Sequence, residues 1–179
     1  MKLLVIGSGG REHALAWRLQ YTAGLQHIYV APGNAGTARE PGVTNLPLTD
    51  IQALAAFAKR ENIHATIVGP EAPLAAGIVD VFREQGLRIF GPSQAAAQLE
   101  SSKDFAKQFM VRHGIPTAAS QTFTATSADI AAAHAYINKK GAPIVVKADG
   151  LAAGKGVVVA MNLTEAHEAV DNMLAGNTL

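Results

Sequence analysis

Two glycine-rich segments carry residues suited to binding phosphate groups. The first, residues 7–12, reads Gly-Ser-Gly-Gly-Arg-Glu and follows four consecutive apolar residues. This order predicts a buried strand, a sharp glycine turn and the start of a helix. Unpaired N–H groups and the dipole at a helix N-terminus attract anions, so the expected chemistry of this segment is phosphate binding.

The sequence departs at two places from the pattern of dinucleotide-binding proteins, and both departures bear on which phosphate-containing ligand is expected. Gly7 and Gly9 match the first two glycines of G-x-G-x-x-G/A, but Glu12 stands at the third position. The predicted second strand, residues 27–30, is followed by Ala-Pro-Gly-Asn instead of an acidic residue that would bind a ribose hydroxyl. An NAD(P) site is therefore disfavoured, and a nucleotide-cofactor oxidoreductase stays as an alternative.

The second glycine-rich segment, residues 150–156, combines glycines with Lys155 and is preceded by Lys147. It differs from a Walker A loop, because one spacer residue is missing and Gly156 stands where a Ser or Thr would bind Mg²⁺. The pattern favours a flap whose N–H groups and lysines neutralise the oxygens of a triphosphate. A solvent-exposed hairpin is the alternative, but a lysine that ends an apolar, buried strand would need an anionic partner.

Composition excludes several other classes of function. The chain has 179 residues, 49% of them hydrophobic, with a net charge of +1 and no cysteine. A folded protein is expected, without disulfides or thiolate chemistry, in a reducing cytoplasm. No basic block or long apolar run predicts a nucleic-acid or membrane partner. The histidines have no metal-ligand spacing, and His13 is interpreted as structural.

Strands alternate with helices up to about residue 101. Four strands are predicted, at residues 3–6, 27–30, 65–68 and 87–90. A first helix over residues 11–20 should direct Ala14, Leu15 and Leu19 toward the sheet, a second should be capped by Thr49, and a third should run to Gly86. The alternation predicts a parallel, Rossmann-like α/β sheet with ligands at its carboxyl edge.

The pattern changes near residue 101, where we place a domain boundary between residues 1–101 and 102–179. Residues 101–104 should open a helix closed by Gly114, a strand-containing connection should cover residues 117–127, and a helix should follow to residue 139. Two β-rich runs, residues 143–147 and 156–160, are joined by a loop too short for a crossover, so they should pair antiparallel. Asn162 and Glu165 should form a capping box for a last helix.

Four segments in order resemble the phosphoribosylamine–glycine ligase family of the ATP-grasp superfamily: residues 7–14, 32–37, 69–74 and 147–157. The resemblance implies a Rossmann-like substrate-binding domain followed by the start of an ATP-grasp domain with a small α+β lid. It also implies a reaction in purine biosynthesis, in which ATP phosphorylates glycine and 5-phosphoribosylamine attacks the glycyl phosphate. The products would be glycinamide ribonucleotide, ADP and phosphate.

The resemblance also assigns binding residues to each half of the chain. Those expected on the ATP phosphates or in the loop that closes over them are Lys103, Lys147, Asp149, Gly150, Gly154, Lys155 and Gly156. Those expected on the phosphoribosylamine side are Gly7, Gly9, Gly10, Arg11, Asn34, Gly36, Thr37, Pro70 and Glu71. The hypothesis is that the N–H groups of Gly9 and Gly10 hold the 5′-phosphate, while Glu71 binds the ribose hydroxyls or the amine. Alternatively, Glu71 is an ordinary loop carboxylate and Lys103 a surface lysine.

In ATP-grasp enzymes the carboxylates and asparagine that bind Mg²⁺ (or Mn²⁺) follow the mobile loop. The resemblance therefore implies that catalytic residues and metal ligands lie beyond residue 179, with no metal site in this chain. We expect the segment alone to be inactive and monomeric, as the amino-terminal portion of a longer enzyme. A non-catalytic fragment that binds only a phosphorylated ligand is the other alternative.

Overall fold

The computed structural model describes residues 1–151 and 156–175, and the chain divides into two compact units, Met1–Gln98 and Leu99–Leu179. The strands are β1 (Lys2–Gly7), β2 (His27–Pro32), β3 (Val43–Asn45), β4 (Ala65–Val68), β5 (Ile89–Phe90), β6 (Ile144–Lys147) and β7 (Val157–Ala160). The α-helices are α1 (Gly10–Leu19), α2 (Ile51–Arg60), α3 (Glu71–Ala75), α4 (Ile78–Glu84), α5 (Gln94–Ser101), α6 (Lys103–Arg112), α7 (Ser127–Lys140) and α8 (Leu163–Val170). A 3₁₀ turn covers Thr37–Arg39, and a π-helical turn, Asp171–Ala175, follows α8.

The first unit is built on a parallel sheet of five strands in the order β3-β2-β1-β4-β5, which confirms the predicted fold class. Strand β1 lies at the centre, where Leu4 is paired with Tyr29 of β2 and Thr66 of β4. Because both neighbours of β1 run parallel to it, the loops that follow β1, β2 and β4 emerge at the same edge of the sheet.

Both faces of this sheet are covered. On one face, Leu4 packs in a buried cluster with Leu54 of α2 and Phe82 of α4. On the other, Val5 packs with Ala16 of α1. Successive residues of a strand point to opposite faces, so a strand covered on both sides reads as a continuous apolar run.

The helices of the first unit differ from the predictions in three respects: one cap, one buried residue and the number of helices. Asp50, not Thr49, caps α2, accepting a hydrogen bond from the N–H of Ala53 at 2.8 Å. Ala14 is exposed, whereas Ala16 is the buried alanine of α1. The helix predicted to run to Gly86 is instead two helices, α3 and α4, separated by Gly77 at a φ of +86°.

The number and length of strands also differ from the prediction. Strand β3 has only three residues, too few for a periodic pattern, and it was not predicted. Strand β5 covers only Ile89–Phe90 instead of residues 87–90. Helix α5, Gln94–Ser101, was not predicted either.

The second unit contains a two-stranded sheet in which β6 and β7 pair antiparallel, as predicted. Helices α7 and α8 cover one face, where Ile137 and Val170 pack against Ile144 and Val158. The opposite face is open, and Val145 and Val159 are 49% and 60% exposed there. The strand predicted within residues 117–127 is wrong, since these residues form an irregular segment that leads into α7.

Side chains cap α6 and α8 in the second unit, and of these two caps the sequence predicted that of Asn162. The Ser102 hydroxyl accepts from the N–H of Phe105 at 3.1 Å at the start of α6. The Asn162 side chain accepts from the N–H of Glu165 at 3.0 Å at the start of α8. Glu165 in turn accepts from the N–H of Met161 instead of that of Asn162, so the box closes one residue earlier than expected.

Within residues 1–151 and 156–175, no helix is both long and apolar enough to span a membrane.

Candidate functional site

The carboxyl edge of the five-stranded sheet brings together the three loops singled out in the first unit. The side-chain amide of Asn34, after β2, donates to the carbonyl oxygens of Ser8 and Gly9, after β1, at 2.9 and 3.3 Å. Arg11, at the start of α1, contacts Glu71, after β4, with Nη1 and Oε1 3.3 Å apart. Residues distant in sequence therefore form one cluster.

Glu12 occupies the inside of the first glycine turn. Its side chain is 3% exposed, and its Oε2 accepts a hydrogen bond from the N–H of Gly9 at 2.7 Å. A Cβ atom at Gly7 would lie 2.5 Å from the Glu12 side chain, and one at Gly69 would clash with the carboxylate. Glycines of two neighbouring loops thus make room for this carboxylate. The Gly9 N–H, predicted to bind a phosphate, already has an acceptor.

Arg11 links two carboxylates at this edge. Its Nε donates to Oε1 of the buried Glu12 at 2.7 Å, while its Nη1 reaches the half-exposed Glu71. The hydrogen bonds that Arg11 donates to Glu12 and then to Glu71 raise the pKa of Arg11 above its usual value. The pKa of Glu71 is lowered, first by its own backbone N–H and then by Arg11. An anion can therefore approach this guanidinium only in competition with Glu71.

The loop after β2 is held by its own side chains. The Asn34 Oδ1 accepts from the N–H groups of Gly36 and Thr37 at 2.7 and 2.9 Å. Asn45, on the unpredicted strand β3, donates to the Asn34 carbonyl at 2.8 Å and accepts from the Thr37 hydroxyl at 2.7 Å. Sequence reasoning missed Asn45, because nothing in the pattern around it marks a strand.

His13 supports the same loop from α1. Its Nε2 lies 2.8 Å from Oε1 of Glu40, which also accepts from Gln20. The hydrogen bond with His13, followed by that with Gln20, lowers the pKa of Glu40. A Cβ at Gly36 would lie 2.5 Å from the His13 ring, so the loop backbone passes directly over the imidazole. Pro70, the remaining predicted residue of this edge, precedes α3 as its N-cap.

In the second unit, Asp149 binds the N-terminus of α6. Its Oδ1 accepts from the N–H of Lys103 at 2.5 Å, and its Oδ2 accepts from the Ser102 hydroxyl at 3.0 Å. Burial acts to raise the pKa of Asp149, but hydrogen bonds from the N–H groups of Gly150 and Lys103 and from Ser102 outweigh it, and the pKa is lowered. The Lys103 ammonium donates to the Gly150 carbonyl at 2.8 Å.

Lys147 lies on the open face of the two-stranded sheet, opposite Val157 of β7. Its side chain is exposed, so the argument that burial would demand an anionic partner is wrong. The apolar run that Lys147 ends suggested burial of this lysine, whereas α7 and α8 cover only the other face of the sheet. Gly156 is described and buried, but the predicted Gly154 and Lys155 fall outside the described residues.

Three of the predicted ATP residues of this unit border a cavity of about 650 Å³. Lys103, Lys147 and Asp149 line it together with apolar side chains such as Phe123 and Ile144. The ammonium of Lys107 donates to the Ala118 carbonyl at 2.8 Å and so ties α6 to the irregular segment of the wall. The volume and the mixture of apolar wall with a few charged groups are typical of a small-molecule site.

Within residues 1–151 and 156–175, no group of three or more His, Asp or Glu side chains is arranged to hold a metal ion. His134 and His167, far apart in sequence, do lie close together, with their Nδ1 atoms 2.6 Å apart. Their outer nitrogens contact Asp171 and Asn138, so this cluster joins α7, α8 and the π-helical turn.

Two solved structures are similar to this chain in fold. A biotin carboxylase–β,γ-ATP complex from Campylobacter jejuni is similar with a TM-score of 0.70 and 19% identity, over 98% of this chain and 42% of that one. N5-carboxyaminoimidazole ribonucleotide synthetase from Thermotoga maritima is similar with a TM-score of 0.66 and 18% identity, over 93% and 42%. At these identities the likeness shows the fold.

Curated sequences give a closer relationship. Phosphoribosylamine–glycine ligase of Ralstonia nicotianae is 68% identical over 100% of this chain and 42% of its own length. The enzyme of that name from Escherichia coli K12 is 60% identical over 99% of the chain and 41% of its length. The chain thus spans about two-fifths of these relatives.

Family models match both units in turn. Residues 1–100 match the phosphoribosylglycinamide synthetase N domain, and residues 101–179 match the ATP-grasp (A) domain of the same synthetase. The chain belongs to the phosphoribosylglycinamide synthetase family.

Proposed function

We propose that this chain supplies the phosphoribosylamine side and part of the ATP side of an enzyme that joins glycine to 5-phosphoribosylamine. In that reaction ATP phosphorylates the glycine carboxylate, and the amine then attacks the glycyl phosphate, releasing ADP and phosphate. The observation that carries the proposal is the tandem match of both synthetase domains at residues 1–100 and 101–179. Relatives at 60–68% identity bear the name of this ligase.

The first unit is proposed to bind the phosphorylated amino sugar at the carboxyl edge of its sheet. Support comes from the meeting of three loops there, since Asn34 after β2 contacts the turn after β1 and Arg11 contacts Glu71 after β4. Gly10 is exposed, and a Cβ there would meet no atom within 4 Å, so the turn is open at this residue. Glu71 is proposed to exchange its contact with Arg11 for one with the sugar hydroxyls or the amine.

The second unit is proposed to bind the phosphates of ATP with Lys103 and Lys147. Both lysines line the cavity of about 650 Å³, whose apolar wall suits a nucleotide base. Two ammonium groups would offset the charge of the triphosphate oxygens and orient the terminal phosphoryl group. Lys103 would release the Gly150 carbonyl to do so, and the loop at residues 150–156 is proposed to close over the phosphates.

Magnesium does not fit the described residues of this unit. Asp149 is occupied by donors at the N-terminus of α6, and no group of three or more acidic or histidine side chains surrounds the cavity within residues 1–151 and 156–175. The proposal therefore assigns no metal ligand to these residues.

A chimera tests the proposed reaction. The matching amino-terminal segment of the Escherichia coli relative would be replaced by these 179 residues, and ADP release would be measured with and without glycine and phosphoribosylamine. We expect activity close to that of the parent enzyme and dependent on both substrates. A folded chimera that lacks activity, or that releases ADP without glycine, would contradict the proposal.

Within the chimera, a pair of lysine variants tests the ATP side. Lys147→Ala removes a cavity lysine and is expected to lower kcat/KM for ATP by at least about tenfold, the effect of losing one charge-assisted contact. Lys139→Ala is the matched control, since Lys139 is an exposed residue in the last turn of α7. Equal losses in the two variants would argue against a role for Lys147.

A further inference from the structure

The first glycine turn follows the spacing of a dinucleotide-binding turn, but the side chain of Glu12 occupies it. Gly7, Gly9 and residue 12 occupy the three positions of the G-x-G-x-x-G/A pattern, at the end of β1 and the start of α1. In that pattern the N–H groups of the turn point at a pyrophosphate. Here the Gly9 N–H points at Oε2 of Glu12, 2.7 Å away.

An ordinary capping role does not account for the full environment of Glu12. A glutamate at the third helical position often accepts from the N-cap N–H, while its side chain stays near the surface. Glu12 is instead 3% exposed and lies beneath Gly7, Gly9 and Gly69, each too close to its side chain to carry a Cβ without displacement. Its second oxygen binds Arg11, so both carboxylate oxygens have donors.

We propose that Glu12 is the specificity-determining residue of this turn, a built-in anion that excludes the pyrophosphate of a dinucleotide. A pyrophosphate at the Gly9 N–H would have to displace a buried carboxylate from both of its donors, or lie against a like charge in a poorly solvated place. The fold thereby retains a dinucleotide-type turn without a dinucleotide site. This inference concerns the turn alone and does not depend on the ligase reaction.

The test replaces Glu12 and measures ligand binding at the backbone amides of the turn. Glu12→Ala completes the pattern as G-x-G-x-x-A, and Glu12→Gln keeps the shape while removing the charge. Glu61→Ala is the matched control, because it removes one carboxylate from the same unit at the other edge of the sheet, where Glu61 pairs with Lys2. Each chain is titrated with inorganic pyrophosphate and with NADH while the amide resonances of Gly9 and Gly10 are recorded by NMR.

In the unchanged chain and in Glu61→Ala, we expect no saturable shift of the Gly9 amide. In Glu12→Ala the Gly9 amide should shift saturably, with an apparent affinity for pyrophosphate at least about tenfold higher. The apparent affinity of Glu12→Gln for pyrophosphate should lie between those of the unchanged chain and Glu12→Ala. If the alanine variant does not fold, the glutamine variant provides the test. The proposal is overturned if the Gly9 amide of the unchanged chain responds as strongly as those of the variants. It is equally overturned if the folded variants respond no more than Glu61→Ala.

Discussion

The two units differ in how completely their candidate sites are filled by the chain itself. In the unit Met1–Gln98, both sheet faces are covered and the loop N–H groups of Gly9, Gly36 and Thr37 are bound by side chains. In the unit Leu99–Leu179, one sheet face is open and two lysines border a cavity of about 650 Å³. Polar groups in the first unit are thus held in place before any ligand binds, whereas the second offers space and charge.

Two kinds of glycine differ in what a Cβ atom would meet. Those of the loops at the sheet edge, such as Gly36 and Gly69, leave room for the side chains of His13 and Glu12. Gly141, after α7, meets no atom within 4 Å of a Cβ, but it has a φ of +79°. Close packing requires glycine in the first case, and backbone conformation requires it in the second.

The largest expected change in the free energy of unfolding comes from truncating a buried core side chain. Phe82→Ala empties a fully buried position of the first unit and should lower the free energy of unfolding by about 3–5 kcal/mol. Val159→Ala, on the open face of the second unit, should change it by about 0.5 kcal/mol or less. Denaturant unfolding is followed by the fluorescence of Trp17, the single tryptophan, for the first unit and by circular dichroism for the second unit. Comparable losses in the two variants would contradict the described difference in burial.

The glycine contrast predicts a coupling that can be measured. Gly69→Ala forces a Cβ against Glu12 and should cost about 1–3 kcal/mol, as overpacking does. Gly141→Ala should cost about 1–2 kcal/mol, because alanine is strained at that φ. Glu12→Ala should relieve most of the cost of Gly69→Ala and none of that of Gly141→Ala, as judged by thermal unfolding. Purely additive free energies in the pair at residues 12 and 69 would refute the packing explanation.

Helix caps give a smaller difference between the units. Asp50→Ala removes the cap of α2 and should cost about 1 kcal/mol. Ser102→Ala should cost somewhat more, up to about 2 kcal/mol, because Ser102 also donates to Asp149. Urea unfolding monitored by circular dichroism compares them. The reverse order would mean that the contact between Ser102 and Asp149 does not stabilise the second unit.

The smallest effect is a dependence on pH in the second unit. Since folding lowers the pKa of Asp149, its carboxylate stabilises the fold above the unfolded pKa, and this contribution is lost as pH falls through the folded pKa. The gap in melting temperature between the unchanged chain and Asp149→Asn should therefore be constant above about pH 5 and shrink below about pH 4. A gap that widens on acidification would have the wrong sign for this mechanism.

Features encoded within short segments were predictable from the sequence. The alternation of strands with helices predicted the parallel sheet, and Asn162 predicted the cap of α8. The short loop between β6 and β7 indicated antiparallel pairing. Each depends on neighbours within a few residues, where propensity and capping act.

Features that depend on distant partners were not predictable. Strand β3 forms because it pairs with β2, and the side chain of Asn45 is held because the carbonyl oxygen of Asn34 accepts its hydrogen bond. The exposure of Lys147 follows from helices that cover only one face of its sheet. No local pattern records which face of a strand a later helix will cover.

The sequence by itself determined the family and the parallel α/β fold class, because these follow from motifs in order and from the alternation of strands with helices. Tertiary structure decided what the residues of the glycine turn contact. Glu12 reads as a missing glycine in the sequence, yet in the fold it fills the turn beneath Gly7 and Gly69. The physical reason is that burial and hydrogen-bond partners are set by chain segments that meet only after folding, as β1 and β4 do here.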